Sequence, residues 1–123
     1  MYKACIIVLN DREYTGEEED SEGRKLKKLL SYKFNIISYK IMPEVDEIYK
    51  DFLLKCCDDY CVELVITLGN KVLADLVTKE IKEEDYPEFN GFRRRATLIK
   101  NLDEISTGTS INIKKLIEVI EKV

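Results

Sequence analysis

The chain has no histidine and no tryptophan among its 123 residues, only two prolines and five glycines, and no surplus of positive charge. Without imidazole there is no Ser-His-Asp or Cys-His relay, no His-ligated metal site and no pH switch of the usual kind. Acid–base chemistry therefore falls to carboxylates, Lys, Tyr or Cys. The 20 basic residues are outnumbered by 24 acidic ones, for a net charge of −4. A general nucleic-acid binder carries a basic surplus, so nucleic acid is not an expected partner. No apolar run approaches the roughly 20 residues needed to cross a bilayer. The apolar start at Met1 to Leu9 is too short for a signal peptide and no small-residue cleavage site follows it. The expectation is a cytoplasmic protein with no membrane partner.

What the sequence does contain is 45% hydrophobic and 36% charged residues, which suits one globular domain spanning residues 1–123. The four cysteines, Cys5, Cys56, Cys57 and Cys61, lack the paired Cys-x-x-Cys knuckles of a zinc site. They are expected to be reduced, buried, Ala-like residues.

Apolar β-rich runs alternate with amphipathic stretches. Lys3 to Leu9 reads as a strand buried on both faces, and Asn10 to Asp20 as a polar, acidic loop. Leu26, Leu29 and Leu30 mark a helix capped by Asp20 or Ser21. Phe34 to Ile41 is β-like and ends at Pro43. Val45, Ile48, Tyr49, Phe52, Leu53, Cys56, Cys57 and Tyr60 recur at helical spacing over about four turns. Val62 to Thr67 is a third strand, and Val72, Leu73, Leu76, Val77 and Ile81 form a third helical face. Lys82 to Arg95 reads as irregular. Ala96 to Leu102 is a fourth strand, and a last helix carries Ile113, Leu116, Ile117, Ile120 and Val123, with Thr109 or Ser110 as its cap. Such alternation predicts an α/β fold: three layers, α/β/α, around a mostly parallel sheet.

Ligands of open α/β sheets bind where the strands' carboxyl ends meet helix N-termini. Three loops there carry chemistry: Asn10 to Asp20, Thr67 to Lys71, and Ser106 to Ser110. In the last two, small and hydroxyl residues precede a helix, where backbone N–H groups and the helix dipole hold phosphate or carboxylate. The alternative is that Gly69 and Gly108 are turn residues and Asn70 and Ser110 are N-caps. The acidic run Glu17-Glu18-Glu19-Asp20 has two readings, carboxylates for Mg²⁺ or acids favoured by a helix dipole. Arg93-Arg94-Arg95 either steers an anion or flanks a strand as a gatekeeper. A phospho-accepting receiver domain is excluded, because Val65-Ile66-Thr67 stands where its Asp is needed.

Asn10-Asp11-Arg12, Gly16, Asp20, Gly23, Leu26 and Leu30 match the order Ser-Asp-Arg…Gly…Asp…Gly…Leu…Leu. Pro43-Glu44-Val45-Asp46 with Ile48, Val65 to Gly69, Asp75 to Glu80, and Ala96 to Leu102 follow in register. In these segments the chain resembles the MoaB/Mog family of molybdenum-cofactor biosynthesis proteins, as a shortened and divergent member. The resemblance implies a molybdopterin-binding-domain-like fold and a homo-oligomer, a trimer. It implies molybdopterin and ATP as substrates, with Mg²⁺, and activity as a molybdopterin adenylyltransferase. Asp75 and Glu44 would be catalytic and hold the Mg²⁺. Asp11, Thr67, Gly69, Asn70, Thr107, Gly108, Thr109 and Ser110 would bind the pterin or nucleotide.

There are departures from the family pattern. Of its Gly-rich loop only Gly69 remains, Glu44 replaces an Asp, and Ala74 replaces the Arg before Asp75. Leu102-Asp103-Glu104-Ile105-Ser106 stands in place of a Leu-Pro-Gly-x-Pro loop, and the stretch between Thr78 and Ala96 is short. The alternative function is a catalytically degenerate member that binds a small anion or acts through protein contacts.

Overall fold

The eight residues Tyr2–Leu9 form β1, and Ala4 to Leu9 are at most 1% exposed, so this strand must lie at the centre of a covered sheet. The computed structural model, which describes residues 1–103 and 112–123, shows this arrangement. β2 (Phe34–Met42) and β3 (Leu64–Gly69) flank β1, both parallel to it. β6 (Thr97–Leu102) pairs in parallel with β3. The sheet has six strands in the order β2-β1-β3-β6-β5-β4, with β5 at Gly91–Arg94 and β4 at Glu84–Tyr86.

Side chains of one strand alternate between faces, and β1 feeds two cores. Cys5, Ile7 and Leu9 join Tyr49, Phe52, Leu53, Val65 and Val77 beneath α3 (Asp46–Leu54) and α4 (Lys71–Ile81). Ala4 and Ile6 join Leu26, Leu30, Phe34, Ile66 and Leu116 beneath α2 (Ser21–Leu30) and α5 (Ile113–Lys122). These are the three expected layers. Among the described residues no helix is long and apolar enough to cross a membrane.

Four local readings are corrected. Residues 82–95 are not irregular: β4 (Glu84–Tyr86), a single 3₁₀ turn at Pro87–Phe89 and β5 (Gly91–Arg94) make an antiparallel hairpin. Its strands are short and charged, with Glu84 opposite Arg93, and this hides them from hydropathy. Pro87 opens the turn and Asn90 closes it at φ 55°. β5 then runs antiparallel to β6, so the sheet is mixed.

Second, Cys61 is exposed with φ 52°, while Cys5, Cys56 and Cys57 are buried. The cause is the end of the third helical segment, which continues past α3 as a π-helical turn over Lys55–Asp59. That wider turn brings the adjacent Cys56 and Cys57 both inward.

Third, Asn112 caps α5, its side chain accepting from the Lys115 N–H at 3.1 Å. The expected caps Thr109 and Ser110 lie outside the described residues. Fourth, the Asn10 to Asp20 loop contains a single helical turn, α1 (Asp11–Tyr14), capped by Asn10.

Asp20 caps α2 by accepting from the Gly23 N–H at 2.7 Å, and it also accepts from the Tyr39 hydroxyl. Burial pushes its carboxyl above the ordinary range. Glu17 and Glu18 pair with Arg12 at 3.5 and 3.2 Å. Three acids of the run, Glu17, Glu18 and Asp20, are thus bound up in ion pairs and capping.

The arginine triplet lies at the opposite end of the sheet from the βα loops. Arg94 forks onto Asp58 at 3.1 and 2.9 Å and donates to the Ile81 carbonyl at 2.7 Å. Arg93 pairs with Glu83 and Glu84. One further irregularity sits on β2: Ala4 pairs with Ile36 but Cys5 with Ser38, so Ile37 is an extra, bulged residue, and it is exposed.

The Arg94 fork ties the hairpin to two other elements. Arg94→Ala is expected to lower stability by about 1–2 kcal/mol, read from the urea-unfolding midpoint. Lys50→Ala, which removes an exposed pair with Glu80, should leave that midpoint where it is.

Candidate functional site

Three βα loops meet at the carboxyl edge of β1, β2 and β3. They are brought together by backbone pairing: the Asn10 N–H donates to the Met42 carbonyl and the Asn70 N–H to the Leu9 carbonyl, each at 3.1 Å. Gly69 makes the second contact possible. It sits at φ +117°, where other residues are strained, and a Cβ there would overlap the Leu9 carbonyl oxygen.

Side chains then lock the loops. The Glu44 carboxylate accepts from the Asp11 N–H at 2.9 Å and from Asn70 Nδ2 at 2.8 Å. The Glu44 N–H donates back to the Asp11 carboxylate at 2.7 Å. Asn70 Oδ1 accepts from the Leu73 N–H at 3.0 Å and so caps α4. One carboxylate therefore joins the loops after β1, β2 and β3, and sets the start of α4. Of the predicted ligand residues, Asp11, Gly69 and Asn70 are brought together here with Glu44.

Asp75 belongs to a second group, one turn into α4. Its Oδ2 accepts from Lys71 Nζ at 2.6 Å and its Oδ1 from Asn101 Nδ2 at 3.0 Å. Asn101 lies on β6 directly opposite Thr67 on β3. Thr67 is buried, and its hydroxyl is 2.8 Å from the Tyr49 hydroxyl rather than open to the loops. Burial drives the Tyr49 phenol well above its ordinary range, so it stays neutral. The remaining predicted residues, Thr107, Gly108, Thr109 and Ser110, lie outside the described residues.

The two expected catalytic carboxylates thus sit in adjoining but separate hydrogen-bond groups. Among the described residues, no three His, Cys, Asp or Glu side chains gather at one point. Both oxygens of Glu44 and both of Asp75 already accept from protein donors. A carboxylate oxygen carries two lone pairs, so each of these oxygens keeps one for a Mg²⁺ that arrives with substrate phosphates.

Sequence reasoning placed Lys71 in a candidate loop without a role, and missed Tyr49, Asn101 and Thr78, whose Oγ1 accepts from Asn101 Nδ2 at 3.2 Å. A signal was present for Asn101: in a strand buried on both faces, a polar residue marks a buried partner rather than a wet face.

Two substitutions separate the backbone and side-chain ties. Gly69→Ala is expected to cost about 2–3 kcal/mol through strain and overlap, measured by urea unfolding. Glu44→Gln loses one of the two bonds and leaves the other without charge assistance, and should cost about 1–2 kcal/mol and speed amide exchange at Asp11 and Leu73.

No family model matches the chain. A molybdopterin adenylyltransferase of Helicobacter pylori (strain J99) is 29% identical over 101 residues, covering 76% of this chain and 57% of that protein. The corresponding protein of strain 26695 is 28% identical over the same coverage. The chain therefore spans little more than half the length of these relatives. Among solved structures, the molybdopterin biosynthesis enzyme MoaB of Thermus thermophilus superposes with a TM-score of 0.79 at 19% identity, over 100% of this chain and 91% of that one. A molybdopterin biosynthesis protein of Mycobacterium abscessus gives 0.79 at 16% identity, over 98% and 95%. The tungsten-cofactor-synthesizing MoaB of Pyrococcus furiosus gives 0.70 at 16%, over 99% and 91%. The solved structures establish the fold, and the sequence relatives agree with the resemblance to the MoaB/Mog family.

Proposed function

We propose that this chain is a molybdenum-cofactor biosynthesis protein that binds molybdopterin and ATP and adenylylates the pterin. The observation that carries this reading is the locked loop edge: Glu44 holds three βα loops together, beside Asp75 and the N-terminus of α4. The relatives named molybdopterin adenylyltransferase agree with it.

Adenylylation forms a bond from a pterin phosphate oxygen to the α-phosphorus of ATP and breaks the α–β bond, releasing pyrophosphate. Charge on those oxygens needs fixed donors. The first N–H groups of α4 and the Lys71 ammonium supply them, and the α4 dipole adds to their effect. Asp75 lies within one turn of Lys71 and holds that ammonium at the loop edge. Rigid loops matter because misplacing such donors by an ångström can cost about a hundredfold in rate. Mg²⁺ enters this reading with the phosphates of ATP, and Glu44 and Asp75 are its candidate carboxylate ligands.

The same reading carries a homotrimeric, cytoplasmic protein; light scattering on the purified chain checks the assembly. The chain should convert molybdopterin to its adenylylated form only when ATP and Mg²⁺ are both supplied. Asp75→Asn should lower kcat at least about 100-fold with the fold intact by circular dichroism. Well-folded protein without turnover would remove the proposal.

A further inference from the structure

Asn101 is 3% exposed, yet half of its amide is unused: Oδ1 has no hydrogen-bond partner among the described residues. Its Nδ2, by contrast, serves two acceptors, Asp75 Oδ1 at 3.0 Å and Thr78 Oγ1 at 3.2 Å. The Thr78 hydroxyl proton is committed to the Ala74 carbonyl at 2.6 Å, so Thr78 Oγ1 can only accept from Asn101. Turning the amide over would set Oδ1 against a carboxylate oxygen and against that same acceptor. The observed orientation is therefore the only one that bonds, and it leaves Oδ1 bare.

A buried acceptor without a donor is costly, on the scale of a lost hydrogen bond. The surroundings offer no reason for an amide. The same core holds Val65, Ala74, Val77 and Ile99, and a branched apolar side chain of similar size would fill the place without an orphan atom. What the amide uniquely supplies is a neutral donor aimed at Asp75 from the buried side. Lys71 grips the other oxygen from the wetter side, 42% exposed. A lysine on a flexible stem fixes charge but not angle. A buried amide on a central strand fixes the angle.

We propose that Asn101 is a positioning residue for Asp75, retained at a cost in stability because it sets the orientation of that carboxylate. The inference rests on Asp75 being the working carboxylate of the proposed function. Asn101 touches no substrate and acts only through Asp75. Its partner across the sheet, Thr67, is held by Tyr49, so the strand pair that carries the amide is itself pinned.

The test compares the full chain with Asn101→Leu, which keeps the volume and removes the donor, and with Asn101→Ala should the first not fold. Three readouts are taken: the urea-unfolding midpoint, kcat and KM for molybdopterin adenylylation with MgATP, and the Asp75 rotamer in a crystal structure of the variant. The expected result is a midpoint equal to or above that of the parent for Asn101→Leu, a kcat lowered about 10-fold or more, KM values within about twofold, and an Asp75 carboxylate that has left its rotamer. An unchanged kcat would overturn the proposal, as would a kcat loss that merely tracks a lowered midpoint. If the parent itself shows no turnover, the functional reading fails instead. Positioning is then decided by the crystal structure, where an Asp75 that keeps its rotamer in the variant overturns it.

Discussion

The Leu9 carbonyl holds the end of β1 against the end of β3, and the loop edge depends on that contact. It accepts from the Asn70 N–H, and it occupies the space that any Cβ on Gly69 would need. Because the two backbones approach so closely, Asn70 arrives where it can cap α4 with one amide atom and bond Glu44 with the other. Glu44 then reaches Asp11. Each later tie is a hydrogen bond of ordinary length; the approach of the two strands is what makes all of them simultaneous.

Preorganisation here is achieved with neutral and singly charged groups, without imidazole. Where a histidine would orient a neighbour and carry a proton, this chain divides the work. Amides and backbone N–H groups orient, and carboxylates and an ammonium carry charge. Burial enforces the division, since Tyr49, Thr67, Thr78 and Asn101 lie in the apolar layer beneath α3 and α4 while Lys71 stays half exposed. Fixed dipoles in a dry layer act more strongly than the same groups in water.

Most of the layer order was readable from the chain because strands and helices there follow simple periods. Lys3 to Leu9 is apolar at every second position on both faces, and the Val45 to Tyr60 stretch keeps one apolar stripe through nearly four turns. What escaped is of two kinds. The 84–94 hairpin escaped because its strands are three and four residues long and half charged, so no window holds a full period. The site geometry escaped because its bonds join residues 26 to 33 positions apart, as in Glu44 with Asp11, Glu44 with Asn70 and Asn101 with Asp75. Asp11, Glu44, Gly69, Asn70 and Asp75 were identifiable as residues of interest, but not which of them would touch. The π-turn and the exposed Cys61 likewise depend on how a helix end meets its strand, which no local pattern states.

The bulge at Ile37 has a consequence for how this sheet meets other molecules. A nine-residue outer strand such as β2 would ordinarily be a template on which a foreign strand could align and from which fibres could start. The extra residue breaks the even spacing of its free N–H and C=O groups halfway along. At the far side, β4 is three residues long with two of them acidic, too short and too charged to recruit a neighbour. The two rims resist polymerisation by different means, one by irregular spacing and the other by brevity and charge. Straightening β2 by deleting a single residue would leave one rim open to growth.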